Sequence, residues 1–169
     1  MESAARGPWP GLQFGVTQGD IAHLPFRTGS FDLVYSTGVL EHFLEPEDRQ
    51  RSMRELARVT RPGGRAVVTV PNGEHVLWRT WHGHLVHEDT VAEVAISKRE
   101  LEEAVRVSGL DLTWSGYLGV SDSFGQWLSY SLLRLPVMAV DFAIWKLLPR
   151  WAKRRLAFHL VCVGSKPRE

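Results

Sequence analysis

Two short polar pairs stand at the ends of apolar runs, and these are the first positions where the chain could do chemistry. Gly19-Asp20 follows the run at 12–16, and Ser36-Thr37 follows the run that begins at Phe31. If both runs are strands of an open parallel sheet, their carboxyl ends face the crevice where such sheets hold ligands. Taken alone, Gly-Asp also reads as a turn whose aspartate caps itself, and Ser36-Thr37 as an ordinary strand exit. Glu41-His42 opens the next segment; an imidazole titrating near neutral pH can accept a proton from a substrate hydroxyl, or it can simply pack and shape a pocket. The passage His82-Gly83-His84-Leu85-Val86-His87-Glu88-Asp89 invites a metal reading. Its spacing matches neither a helical His-Glu-x-x-His pair nor a cysteine-histidine zinc pattern, so no metal site is expected. Lys146, Arg150, Lys153, Arg154 and Arg155 surround Trp145 and Trp151. That is the composition of a segment lying in a membrane interface, or of a packed helical cap with a solvated basic end.

These groups need elements to position them, and the periodicity supplies an alternation of strands and helices, hence an α/β protein. Strands are expected at 12–16, 31–36, 65–70, 110–118 and 156–163. A helix is expected over 46–60, where Pro46, Glu47 and Asp48 suit a first turn and Glu47, Arg51 and Glu55 are spaced for charge pairs, with Pro62-Gly63-Gly64 as its stop. Ser97 and Glu100 form a capping-box signature for a second helix that stops at Gly109. Between the last two strands, residues 119–155 carry many large apolar groups and read as an inserted pair of helices, without the roughly 18–20 apolar residues that a membrane span needs. The 169 residues suffice for one domain, and 44% apolar with 23% charged content is ordinary for a soluble protein. The single Cys162 cannot form an internal disulfide. Residues 1–10 contain no apolar segment typical of a secretory signal, so a cytoplasmic location is expected.

Four stretches, in order, carry a family resemblance: Gly19-Asp20-Ile21-Ala22-His23-Leu24-Pro25-Phe26, Ser30-Phe31-Asp32-Leu33-Val34-Tyr35, Gly38-Val39-Leu40-Glu41-His42 and Arg58-Val59-Thr60-Arg61-Pro62-Gly63-Gly64-Arg65. Together they resemble the middle of a class I S-adenosylmethionine-dependent methyltransferase, of the group that modifies small molecules such as quinone precursors. The resemblance implies a Rossmann-like sheet whose remaining strands follow the order 4-5-7-6, the last one antiparallel, with the helical insertion at 119–155. In that family a strand and a glycine-rich turn come earlier and hold the cofactor. This chain begins too late to include them, so residues 1–169 are expected to be a single partial domain lacking the amino-terminal cofactor-binding third. Residues 1–6 then fall at the tail of a helix. The 12–16 strand is left at an exposed edge, beside the Phe31 strand, or unpaired.

The implied cofactor is S-adenosylmethionine. By the same resemblance Asp20 accepts a hydrogen bond from the adenine amine, the Ile21 amide reads the neighbouring ring nitrogen, and Ser36 and Thr37 face the methionine portion. His42 is the candidate acid-base residue, and the segment holding Trp78, Trp81, His84 and His87 is the lid over the substrate. Methyl transfer from a sulfonium is an in-line substitution, so alignment and exclusion of water matter more than acids and bases. The expected activity is methylation of an oxygen or carbon of a small, apolar molecule. The alternative is a noncatalytic remnant that binds a partner chain or a membrane surface. A net charge of +1 argues against nucleic acid as a partner. Peripheral membrane contact through 122–155 is the other partner expectation, and nothing in the pattern fixes an oligomeric state.

Overall fold

The computed structural model describes residues 3–6, 13–76, 93–118 and 145–168. Strand β1 (Ser3–Arg6) pairs antiparallel with β2 (Gln13–Val16), Ser3 opposite Val16 and Arg6 opposite Gln13. Residues 1–6 are therefore not the tail of a helix, and the 12–16 run is an edge strand, of a separate two-stranded sheet rather than of the main one. The reason is proximity: strand amides need partners, and the segment a few residues upstream reaches them at the smallest loop-closure cost.

Strand β3 (Phe31–Thr37), helix α1 (Pro46–Val59) and strand β4 (Thr60–Pro71) form one parallel crossover. Pro46 sits in the first turn of α1 with Glu47 and Asp48, where a missing amide hydrogen is harmless and negative charge meets the positive helix end. The charge pairs differ from the expected ones: Arg51 pairs with Asp48 at 3.0 Å, and Glu55 with Arg58 at 2.7 Å. Thr60, not Pro62-Gly63-Gly64, ends the helix. Its hydroxyl donates to the Leu56 carbonyl at 2.7 Å, its backbone is already extended, and β4 begins at once. Gly64 is required there, because a Cβ would lie 2.9 Å from the carbonyl oxygens of Arg61 and Asp32.

Helix α2 (Lys98–Val107) carries the expected capping box, with the Glu100 amide on Ser97 Oγ at 3.3 Å and the Ser97 amide on Glu100 Oε2 at 2.7 Å. Strand β5 (Asp111–Leu118), helix α3 (Arg150–Leu156) and strand β6 (His159–Ser165) complete the described chain. The main sheet runs β3-β4-β6-β5, with β6 antiparallel to both neighbours. This is the expected neighbour order, although the final strand starts three residues later than the apolar run at 156. Of the expected insertion, residues 119–144 lie outside the described residues.

Helices α1 and α2 cover one face of the sheet. Met53, Leu56, Leu101 and Val105 pack there against Ala66, Val68, Val70, Leu160 and Cys162, all at most 5% exposed. Strand β5 has a register shift between Leu112 and Trp114. The extra residue turns the later side chains over, so Leu112, Ser115 and Tyr117 share a face while Trp114 and Leu118 point the other way. The alternation of residues 110–118 therefore does not describe one buried face. Leu33, Tyr35, Trp114 and Leu118 remain 50–61% exposed.

Candidate functional site

Because β6 is antiparallel to both β4 and β5, strands β3, β4 and β5 run the same way. Thr37, Pro71 and Leu118 thus end at one edge of the sheet. The segment carrying Asp20 is fastened beside that sheet by α1. Arg58 donates to the carbonyls of Leu24 (3.0 Å) and Phe26 (2.8 Å) and to Thr28 Oγ1 (3.3 Å), while its partner Glu55 accepts the Leu24 amide at 3.0 Å. The Arg58 hydrogen bond is the main cause that holds the Glu55 carboxyl below its ordinary range. The sequence reading missed this pair, and its i, i+3 spacing on α1 was the available signal.

Asp20 caps its own turn. Its Oδ1 accepts the Ala22 amide at 2.9 Å and its Oδ2 lies 3.4 Å from His23 Nδ1. These two contacts, the first the larger, lower its pKa, so the exposed carboxylate is ionised at neutral pH. A groove of 540 Å³ runs along β3 and is lined by Gly19, Ile21, Tyr35, Ser36, Thr37 and Val39 among others. It unites three of the four candidate cofactor residues. Asp20 adjoins two of its lining residues in sequence without itself lining it. Ser36 Oγ is buried and has no hydrogen-bond partner among the described residues, whereas Thr37 Oγ1 accepts from Thr69 Oγ1 at 2.6 Å.

His42 closes a 3-10 turn, Leu40–His42, and its Nε2 lies 3.9 Å from Glu93 Oε1. It does not line the groove. Its neighbour Glu41 is 2% exposed, with Oε2 unpartnered among the described residues, and burial pushes its carboxyl pKa up. His84 and His87 lie outside the described residues.

At the end of β4, Asn72 is completely buried and locks α3 in place. Its Nδ2 donates to the carbonyls of Arg154 (2.9 Å) and Ala157 (2.8 Å), and its Oδ1 accepts the Glu74 amide at 3.1 Å. Glu74 in turn takes the Arg154 guanidinium, with Nε on Oε2 at 3.0 Å, and the Tyr117 hydroxyl at 3.1 Å. Burial, then the Glu74 carboxylate, pushes the Tyr117 pKa up to about 12.

A methyltransferase-domain family profile matches residues 2–68 of this chain. Over that stretch the chain is similar to class I S-adenosylmethionine-dependent methyltransferases. Among curated relatives, the mouse protein named probable tRNA methyltransferase 9B is 45% identical over 51 residues, which is 30% of this chain and 11% of that protein. Methyltransferase GfsG of Streptomyces halstedii is 43% identical over 49 residues, 29% of this chain and 16% of that protein. The matches thus span well under two thirds of these relatives. Among solved structures, an S-adenosylmethionine-dependent methyltransferase from Mesorhizobium loti superposes with a TM-score of 0.58 at 14% identity, covering 94% of this chain and 72% of that one. A putative methyltransferase crystallised with the Haloferax volcanii Trm112 activator gives 0.54 at 20% identity, covering 89% of this chain and 60% of that one. At such identities the likeness establishes the α/β methyltransferase fold, with a mixed sheet whose last strand is antiparallel. The family implies S-adenosylmethionine as cofactor.

Proposed function

We propose that this chain forms part of an S-adenosylmethionine-dependent methyltransferase site and acts in methylating an oxygen or carbon of a small molecule. The observation that carries this reading is the β3 groove, which gathers Ile21, Ser36 and Thr37 beside the Asp20 turn. The groove suits the cofactor chemically. An ionised Asp20 can accept from an exocyclic amine, the adjacent Ile21 supplies an amide, and Ser36 Oγ has unspent hydrogen-bonding capacity in a buried position. When bound, the cofactor supplies a methyl group on a sulfonium. The chain's own part is to bind, align and keep water away, with the loop at Gly19–Ser30 held in place by Arg58 and Glu55. His42 stands off the groove, so its role in this reading is to shape the approach at the end of β3, with proton acceptance only from a substrate hydroxyl brought to it.

The test uses the whole chain, labelled with nitrogen-15 and titrated with S-adenosylhomocysteine. Saturable shifts of the Ile21, Ser36 and Thr37 amides are expected, with Asp20→Ala weakening the binding about tenfold or more. No shifts at millimolar ligand, or shifts confined elsewhere, would refute the site, and unchanged affinity of Asp20→Ala would remove that residue from it. The noncatalytic alternative predicts no such binding.

A further inference from the structure

A second cavity, of 890 Å³, opens at the same edge of the sheet between α3 and the ends of β4 and β5. Its charged lining is one-sided. Among the described residues Lys98, Arg150, Arg154 and Arg155 face it against the single acid Glu74. Glu74 is already neutralised by Arg154, and Lys98 is spent on Glu102 at 2.9 Å. Arg150 and Arg155 are exposed and have no carboxylate partner among the described residues. His75 does not add charge, because burial lowers its pKa. An adjoining cavity of 550 Å³ shares Lys98, Tyr117 and Arg150 and adds Lys153. In a chain whose formal net charge is +1, this is a local concentration of cations.

Helix stability accounts for only part of it. Four of the seven residues of α3 are cationic; Lys153, Arg154 and Arg155 stand in its last turn, where the helix dipole favours them, whereas Arg150 in the first turn opposes it. Hydrogen bonds pin the backbone of the cleft. Asn72 grips two α3 carbonyls, the Val76 amide donates to the Arg155 carbonyl at 3.0 Å, and Glu74 pins both Arg154 and Tyr117. At its rim the Trp151 indole is 72% exposed. Unpartnered guanidinium groups beside an uncovered aromatic face match an anionic group carried on a flat apolar body.

We propose that this cleft binds the methyl acceptor, and that the acceptor bears a phosphate or carboxylate attached to an aromatic or flat apolar moiety. The assignment as acceptor rests on the methyltransferase reading; the anion site itself does not. Arg150 and Arg155 hold the anionic group, Trp151 covers the apolar part, and the cleft's position beyond β4 and β5 puts the ligand at the sheet edge that also carries Ser36 and Thr37. This proposal departs from the expectation of a small, apolar acceptor. A concave site with two free guanidinium groups holds one anionic group, rather than tracking a polymer of phosphates.

The experiment is calorimetry on the whole chain without cofactor, using phenyl phosphate, inorganic phosphate and benzyl alcohol as probes. Phenyl phosphate is expected to bind more tightly than either of the other two. Arg150→Gln with Arg155→Gln should weaken it about tenfold or more, and Trp151→Ala about threefold while leaving inorganic phosphate unchanged. All three residues are exposed, so circular dichroism should confirm that the variants keep their fold. No saturable binding at about 10 mM, or binding unaffected by the double substitution, would overturn the proposal. A second arm separates the sources of the anion. Sedimentation with phosphatidylglycerol but not phosphatidylcholine vesicles, in the absence of phenyl phosphate binding, would replace the small acceptor by a lipid surface; binding of a short single-stranded RNA alone would replace it by nucleic acid. If phenyl phosphate binds as expected while S-adenosylhomocysteine leaves the β3 groove unperturbed, the anion site stands and only the methyltransferase reading falls.

Discussion

Asn72→Ala should be among the most damaging single substitutions in this protein, although the side chain's hydrogen bonds go to neither helix that covers the sheet. The side chain is 0% exposed and makes three hydrogen bonds, to the carbonyls of Arg154 and Ala157 and from the Glu74 amide. Each is worth about 0.5–1.5 kcal/mol net, and stripping the donor leaves the Ala157 carbonyl buried without a partner, at a cost of about 1–3 kcal/mol. Allowing for overlap between these terms, the loss should be about 2–4 kcal/mol. For a chain of this size that corresponds to a fall in Tm of roughly 5–15 °C. Urea denaturation followed by far-ultraviolet circular dichroism measures it. Asn72→Asp provides the chemical control, since it keeps an acceptor for the Glu74 amide but aims a carboxylate oxygen at two carbonyls. It should be at least as destabilising as alanine at pH 7 and recover partly at pH 4, where a protonated carboxyl can donate. A loss below about 1 kcal/mol for alanine, or an aspartate variant insensitive to pH, would show that the lock on α3 is not what holds this end of the sheet.

Two further outcomes follow from buried titratable groups. Burial, ahead of the nearby Glu102 charge, pushes the Cys162 thiol up to about 12, so at pH 8 a disulfide reagent should react only as fast as the chain opens, and completely once urea is added; reaction within seconds under native conditions would contradict its burial. Burial raises the Glu41 pKa above 4.5, so the stability present while this carboxyl is protonated is lost as pH rises through the raised value. Glu41→Gln should therefore gain on the parent between pH 4.5 and pH 8 in urea midpoints, and a difference that is constant across that range would refute the assignment.

What was legible in the sequence was what short-range patterns carry. Pro46-Glu47-Asp48 marked the start of α1, Ser97 and Glu100 the start of α2, and the apolar runs marked β3, β4 and β6 to within a few residues except where β4 starts early at Thr60. The family motifs added the order β3-β4-β6-β5, which no local pattern encodes. Ser36 and Thr37 lie at the carboxyl end of β3 as strand direction requires, whereas Gly19 reaches the same groove through the loop that Arg58 and Glu55 hold, since β2 stands outside the main sheet. Tertiary structure decided the rest. The extra residue at Thr113 in β5 turned Trp114 away from the core, an outcome set by its partner strand, to which Thr113 Oγ1 donates at the Val163 carbonyl. Pairing of Ser3–Arg6 with Gln13–Val16 depended on which amides found each other. No local pattern gives Arg58 its partners; only the approach of the Leu24–Thr28 loop gave it carbonyls to hold. Asn72 carries no local signal of its role. Its partners are 82 and 85 residues away, and hydrogen bonds act only at contact distance, so nothing short of the folded chain could assign them.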